Sequence, residues 1–126
     1  EAIAAQVHVA MLEAGFTASA EFHYLHHQPG GEPYADSAEM ARRIMAASST
    51  SGIGPTMLPV LYSYGGLDRR PLQGGQLRFG CDAESFPILY EAIAAHSHAL
   101  PADFRLGVAP HSLRAVDAEG LELCRA

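Results

Sequence analysis

A chain of 126 residues, 48% hydrophobic and 17% charged, has the composition of one folded domain with a core of its own. Its net charge of −6, with no lysine and no basic run, argues against a nucleic-acid partner and removes Schiff-base and carbamylated-lysine metal chemistry from this stretch. Cys81 and Cys124 stand far apart without a CxxC, which excludes a zinc ribbon or a thioredoxin motif and reads as two free thiols of a cytoplasmic protein.

The apolar runs are short and interrupted, far from the roughly 20 residues a membrane helix needs, and no signal peptide is visible. The chain begins at Glu1 without methionine inside one helical pattern and stops at Ala126 inside another, so a fragment of a longer protein is expected. Residues 2–14 carry Ile3, Val7, Ala10, Met11 and Ala14 at helical spacing, and Gly15 follows as a stop. A strand over 15–24 comes next, its polar tail Glu21 to His27 at the carboxyl end.

Asp36 and Glu39 have the spacing of a capping box, and Met40, Ala41, Ile44, Met45 and Ser48 give one face of a helix over 37–51. The continuous apolar run over 54–62 suits a strand buried on both faces, with Pro59 as its weak point. Residues 63–80 form a long glycine- and arginine-rich loop of the kind that covers active sites. Asp82 caps a helix over 83–98 with the stripe Phe86, Leu89, Tyr90, Ile93 and Ala94. A third strand spans 104–110 and ends at Pro110, and Asp117 caps a last helix over 118–126.

Helices and strands alternate, which implies an α/β fold with a parallel sheet and right-handed crossovers. About three strands cannot close, whereas a (β/α)8 barrel of the TIM type takes eight strands and roughly 250 residues. The expectation is therefore part of such a barrel.

His111 and Arg114 fall in the short loop after the third strand, the end at which such barrels carry their chemistry. In an acidic chain without lysine, a guanidinium placed there is a ready bidentate partner for a carboxylate. Tyr24, at the end of the first strand, could add a hydroxyl beside it. His23, His26 and His27 invite a metal hypothesis, but their spacing is not diagnostic, side chains around a strand terminus need not converge and no nearby Cys or Asp completes a site, so they read as loop or supporting histidines. The triplet His96-Ser97-His98 would pair two ligands on a strand, but at a helix end the rings diverge by about 200°, and interaction with the helix dipole is the simpler reading. No Ser-His-Asp order, Walker loop or GxGxxG is present.

At Glu21-Phe-His-Tyr-Leu-His-His27, at Gly52 to Tyr62 with the loop running to Arg78-Phe79, and at Pro110-His-Ser-Leu-Arg-Ala-Val116, the sequence resembles the formimidoylglutamate deiminases of the metal-dependent amidohydrolase superfamily. The resemblance runs over essentially the whole chain and places it at the second to fourth strands of the family's barrel. It implies hydrolysis of N-formimidoyl-L-glutamate to N-formyl-L-glutamate and ammonia in histidine degradation, by a zinc-bound hydroxide. Tyr24, His111 and Arg114 would bind the substrate's carboxylates. The catalytic residues and the zinc ligands would lie outside this segment, which alone would be inactive. A cytoplasmic homodimer with a small-molecule substrate is implied. Two other readings stand beside it: another deaminase or chlorohydrolase of the same superfamily, with no need for a carboxylate-binding arginine, and a noncatalytic α/β binding module.

Overall fold

A computed structural model describes residues 1–97 and 100–125. Helix α1 (Ala2–Glu13) ends in a Schellman stop: Gly15 takes a φ of 94°, its N–H donates to Leu12 O at 2.9 Å, and Phe16 N–H donates to Met11 O at 3.0 Å. Strand β1 (Ala18–His23) follows, then α2 (Glu39–Ser51), closed by Gly52 at φ 83°. Strand β2 (Gly54–Leu61) leads into the long loop, which contains a short 3₁₀ helix (Gly74–Arg78). Helix α3 (Ser85–Ser97), two short strand pieces β3 (Arg105–Leu106) and β4 (Ala109–Pro110), and α4 (Ala118–Leu123) complete the order.

All pairings are parallel, with β2 at the centre. Strand β1 lies along one edge of it, with Ala18 opposite Gly54 and His23 opposite Pro59. Both β3 and β4 lie along the other edge in one unbroken register, Thr56 facing Arg105 and Val60 facing Ala109. The single third strand expected over 104–110 is thus interrupted without slipping. The gap falls opposite Pro59, which has no N–H to offer. The ladder resumes on either side of it, where Gly107 N–H donates to Met57 O and His111 N–H to Leu61 O, both at 3.0 Å.

Side chains of a strand alternate between its faces. Met57 and Leu61 of β2 join Ala41 and Met45 of α2 and Phe86, Leu89 and Ile93 of α3 in one buried cluster. That is the helix-facing side of the sheet. Phe22 and Leu58, paired across β1 and β2, occupy the alternate positions on the opposite face, while Tyr62, just past the end of β2, is buried with the cluster.

Two local expectations are corrected. The capping box does not form: Asp36 Oδ1 accepts from Ala38 N–H at 2.9 Å in a local turn, and Glu39 instead binds Arg42 and Arg43 one turn ahead. Helix α1 turns the stripe read from the sequence to solvent, with Ile3 84% and Val7 52% exposed, and buries His8. Asp82 and Asp117 do cap their helices, Asp82 Oδ1 accepting from Ser85 N–H at 2.8 Å and Asp117 Oδ1 from Gly120 N–H at 3.0 Å.

Candidate functional site

The carboxyl ends of the three strands converge on an aromatic cluster. Tyr24 leaves β1, Tyr62 leaves β2, and His111 follows β4. The His111 ring centroid lies 4.3 Å from Tyr62, 5.7 Å from Phe22 and 6.2 Å from Tyr24. Phe79 closes the group from the long loop, edge-on to Tyr24 at 4.9 Å and tilted against Tyr62 at 5.8 Å.

The loop is fastened there by the histidines at the end of β1. The backbone N–H groups of His26 and His27 both donate to Arg78 O, at 2.9 and 3.0 Å, and the Arg78 guanidinium returns a bond to His27 O at 3.1 Å. His26 Nε2 donates to Val60 O at 3.0 Å and His27 Nε2 to Gly80 O at 2.7 Å. Because a carbonyl only accepts, those ring nitrogens carry the protons. Burial, and then neighbouring imidazoles, hold His23 down to about 3 and His26 down to about 4, so both are neutral at physiological pH.

His111 keeps Nδ1 2.9 Å from Ser112 Oγ. Its imidazolium is disfavoured first by burial and then by the Arg114 guanidinium, so it serves as a neutral hydrogen-bonding ring. Tyr24 is 39% exposed and its ring meets Phe22 at 5.9 Å, which leaves it on the rim of the cluster. The structure therefore unites Tyr24 with His111. Arg114 lies one turn of loop further on, exposed, and forms no ion pair or hydrogen bond with either among the described residues. It lines a cleft of about 370 Å³ with Tyr64, Leu67, Arg69 and Asp117. Backbone bonds hold the two sides of this cleft together, Ser63 and Tyr64 N–H both donating to Ala115 O, at 2.8 and 3.0 Å.

Tyr62 and Phe79 were not singled out by the sequence. Tyr62 could have been: it follows β2 directly, at the strand's carboxyl end. Phe79 sits in a stretch without periodicity, and only its neighbours' bonds to His26 and His27 bring it in.

The resemblance to metal-dependent amidohydrolases implies a metal, and these residues do not fit as its holders. No group of three His, Cys, Asp or Glu side chains converges among the described residues. The rings of His26 and His27 are directed at backbone carbonyls, and the buried His23 lies 4.0 Å from Glu21. His96 pairs with Asp36 at 3.7 Å across to the start of α2, and His98 lies outside the described residues. The Cys81 thiol is pushed up to about 12 by burial and is inert as a thiolate ligand.

Parallel strands with helices along one side and polar groups collected at the strands' carboxyl ends are the arrangement of a segment of a (β/α)8 barrel. The crystal structure of an amidohydrolase from Brucella melitensis superposes with a TM-score of 0.93 at 47% identity, covering 98% of this chain and 27% of that one. Within that class, the particular protein the sequence is similar to is formimidoylglutamate deiminase: the Pseudomonas aeruginosa enzyme is 48% identical over 116 residues, 92% of this chain. The chain spans about a quarter of the length of these relatives, 25% and 27% respectively. No family model matches the sequence.

Proposed function

We propose that the protein to which this segment contributes hydrolyses N-formimidoyl-L-glutamate, water replacing the imino nitrogen to give N-formyl-L-glutamate and ammonia, and that residues 1–126 supply contacts to the substrate's carboxylates. The observation that carries this reading is the meeting of Tyr24 and His111 at the strand ends with Arg114 three residues beyond. Arg114 would offer a planar fork to one carboxylate, and Tyr24 and the neutral His111 would add hydrogen bonds without charge. The aromatic wall of Tyr62 and Phe79 would exclude water beside them and strengthen these contacts. The reading includes a divalent metal, zinc, held by residues outside this chain; when bound it would activate the attacking water. A cytoplasmic homodimer acting in histidine degradation completes the proposal, in keeping with two free cysteines.

Arg114→Lys in the full-length protein tests it. An ammonium is a point charge and cannot reproduce the fork, so kcat/KM for formimidoylglutamate should fall by about 30-fold to several thousand-fold, the equivalent of about 2 to 5 kcal/mol. Activity on an uncharged formimino analogue should be spared. Equal losses on both substrates would mean that Arg114 does not read a carboxylate.

A further inference from the structure

Resting on that reading, we infer that Arg69 is the second cation of the substrate site, so that the cleft between the long loop and the 111–117 loop takes a dicarboxylate through paired guanidinium groups. A substrate with two carboxylates carries two negative charges. Along this cleft Arg114 supplies one positive charge and Asp117 one negative charge, and His111 beside it supplies none, because its imidazolium is disfavoured. Arg69 lines the same cleft of about 370 Å³ as Arg114.

The backbone at Arg69 is unusual for its residue type. Its φ of 57° lies in the left-handed region, where no other non-glycine residue of the described chain sits. The tight turn that holds it is closed by Arg69 N–H to Gly66 O at 2.9 Å and Gly65 N–H to Arg70 O at 2.8 Å. Glycine is the residue that takes this position without strain, so an arginine here suggests a role for its side chain rather than for the turn.

That side chain is steered but not consumed. Its guanidinium carbon stands 5.6 Å from the centroid of the Tyr64 ring, and Nη1 lies 3.6 Å from Asp117 Oδ2, beyond hydrogen-bond reach. The Asp117 carboxylate already accepts from Tyr64 OH at 3.0 Å and from Gly120 N–H at 3.0 Å. Tyr64 and Asp117 thus hold Arg69 at the cleft through a cation–π contact and an ion pair, while none of its guanidinium N–H groups donates a hydrogen bond among the described residues.

The test uses Arg69→Gly in the full-length protein, which removes the cation and relieves the left-handed backbone. Two readouts are taken: kcat/KM on formimidoylglutamate and on the two analogues that each lack one carboxylate, and binding of glutarate, a dicarboxylate without the amidine, by calorimetry. The expected result is a loss of at least tenfold on formimidoylglutamate and on one analogue, little change on the other, weaker glutarate binding, and a melting temperature unchanged or raised. Arg114→Met should spare the opposite analogue. Deiminase activity that is indifferent to Arg69 on all three substrates would overturn the inference and leave the proposed function standing. Glutarate binding that depends on Arg69, in a wild-type protein without deiminase activity, would support the cleft and sink the proposed substrate.

Discussion

The two faces of the sheet put the same strands to different uses. On the helix-facing side, Met57 and Leu61 are wholly sealed by α2 and α3, and this is where burial of apolar area stabilises the fold. On the opposite face Phe22 and Tyr24 remain 42% and 39% exposed, beside His111 and the loop that carries Phe79. Strand alternation separates them: successive residues of β2 face either the core or the site, so stability and recognition can be altered one residue apart.

Substitutions on the sealed face should produce the largest effects. Met57→Ala removes a fully buried side chain and should cost about 2 to 5 kcal/mol in chemical denaturation, with no change in the ratio of activities on charged and uncharged substrates. A loss below about 1 kcal/mol would break the contrast between the faces.

Acid should act next, through the histidines at the end of β1. His23 and His26 titrate near 3 and 4 in the folded chain, below the ordinary value of 6.5, so the unfolded chain takes up protons that the folded one refuses. Stability is fully present above about pH 6.5 and is lost as pH falls towards 4 and then 3, on the order of 3 kcal/mol for His26 by pH 4. Thermal melts of wild type and His26→Gln across pH 7 to 4 should show the variant's decline as the shallower one; parallel declines would remove His26 as a cause.

On the open face Tyr24→Phe should lower kcat/KM for formimidoylglutamate by the equivalent of about 0.5 to 3 kcal/mol and leave the melting temperature alone, since one hydrogen bond to a charged group is lost from the rim. A drop in melting temperature would make Tyr24 a packing residue instead. The smallest effect sharpens the contrast from within α1. Ile3→Ser in the 126-residue chain should alter stability by no more than about 0.5 kcal/mol, because Ile3 faces solvent; a larger loss would mean that the apolar stripe of α1 is covered after all.

What could be read from the sequence follows from how decisively each pattern was written. In α2 the arginines 42 and 43 leave only one apolar side, and Ala41, Met45 and Ser48 are buried on it as expected. Helix α1 is apolar nearly all the way round, so periodicity alone could not choose its inner face. The structure places His8 against Glu21, whose carboxyl is pushed up by burial and partly restored by that imidazole. The alternation of elements specified the parallel α/β arrangement, whereas the gap between β3 and β4 depends on a proline in the neighbouring strand, a non-local effect. Tyr24 and His111 were legible because strand ends were, but the cation–π and ion contacts that gather Arg69 with Tyr64 and Asp117 join residues up to 48 positions apart, which no spacing rule reports.

Pro59 has a consequence for how the third strand is indexed against the second. With one rung missing, hydrogen bonds alone would hold the strand loosely, yet Gly107 meets Leu58 so closely that a Cβ built there would lie 2.9 Å from Leu58 Cδ2. A slip of two residues would bring Ala109 or Arg105 into that slot and oblige the Leu58 side chain to swing aside. The close fit at Gly107 thus biases by steric contact a register that the ladder alone leaves underdetermined. It sets the height at which His111 emerges beside Tyr62.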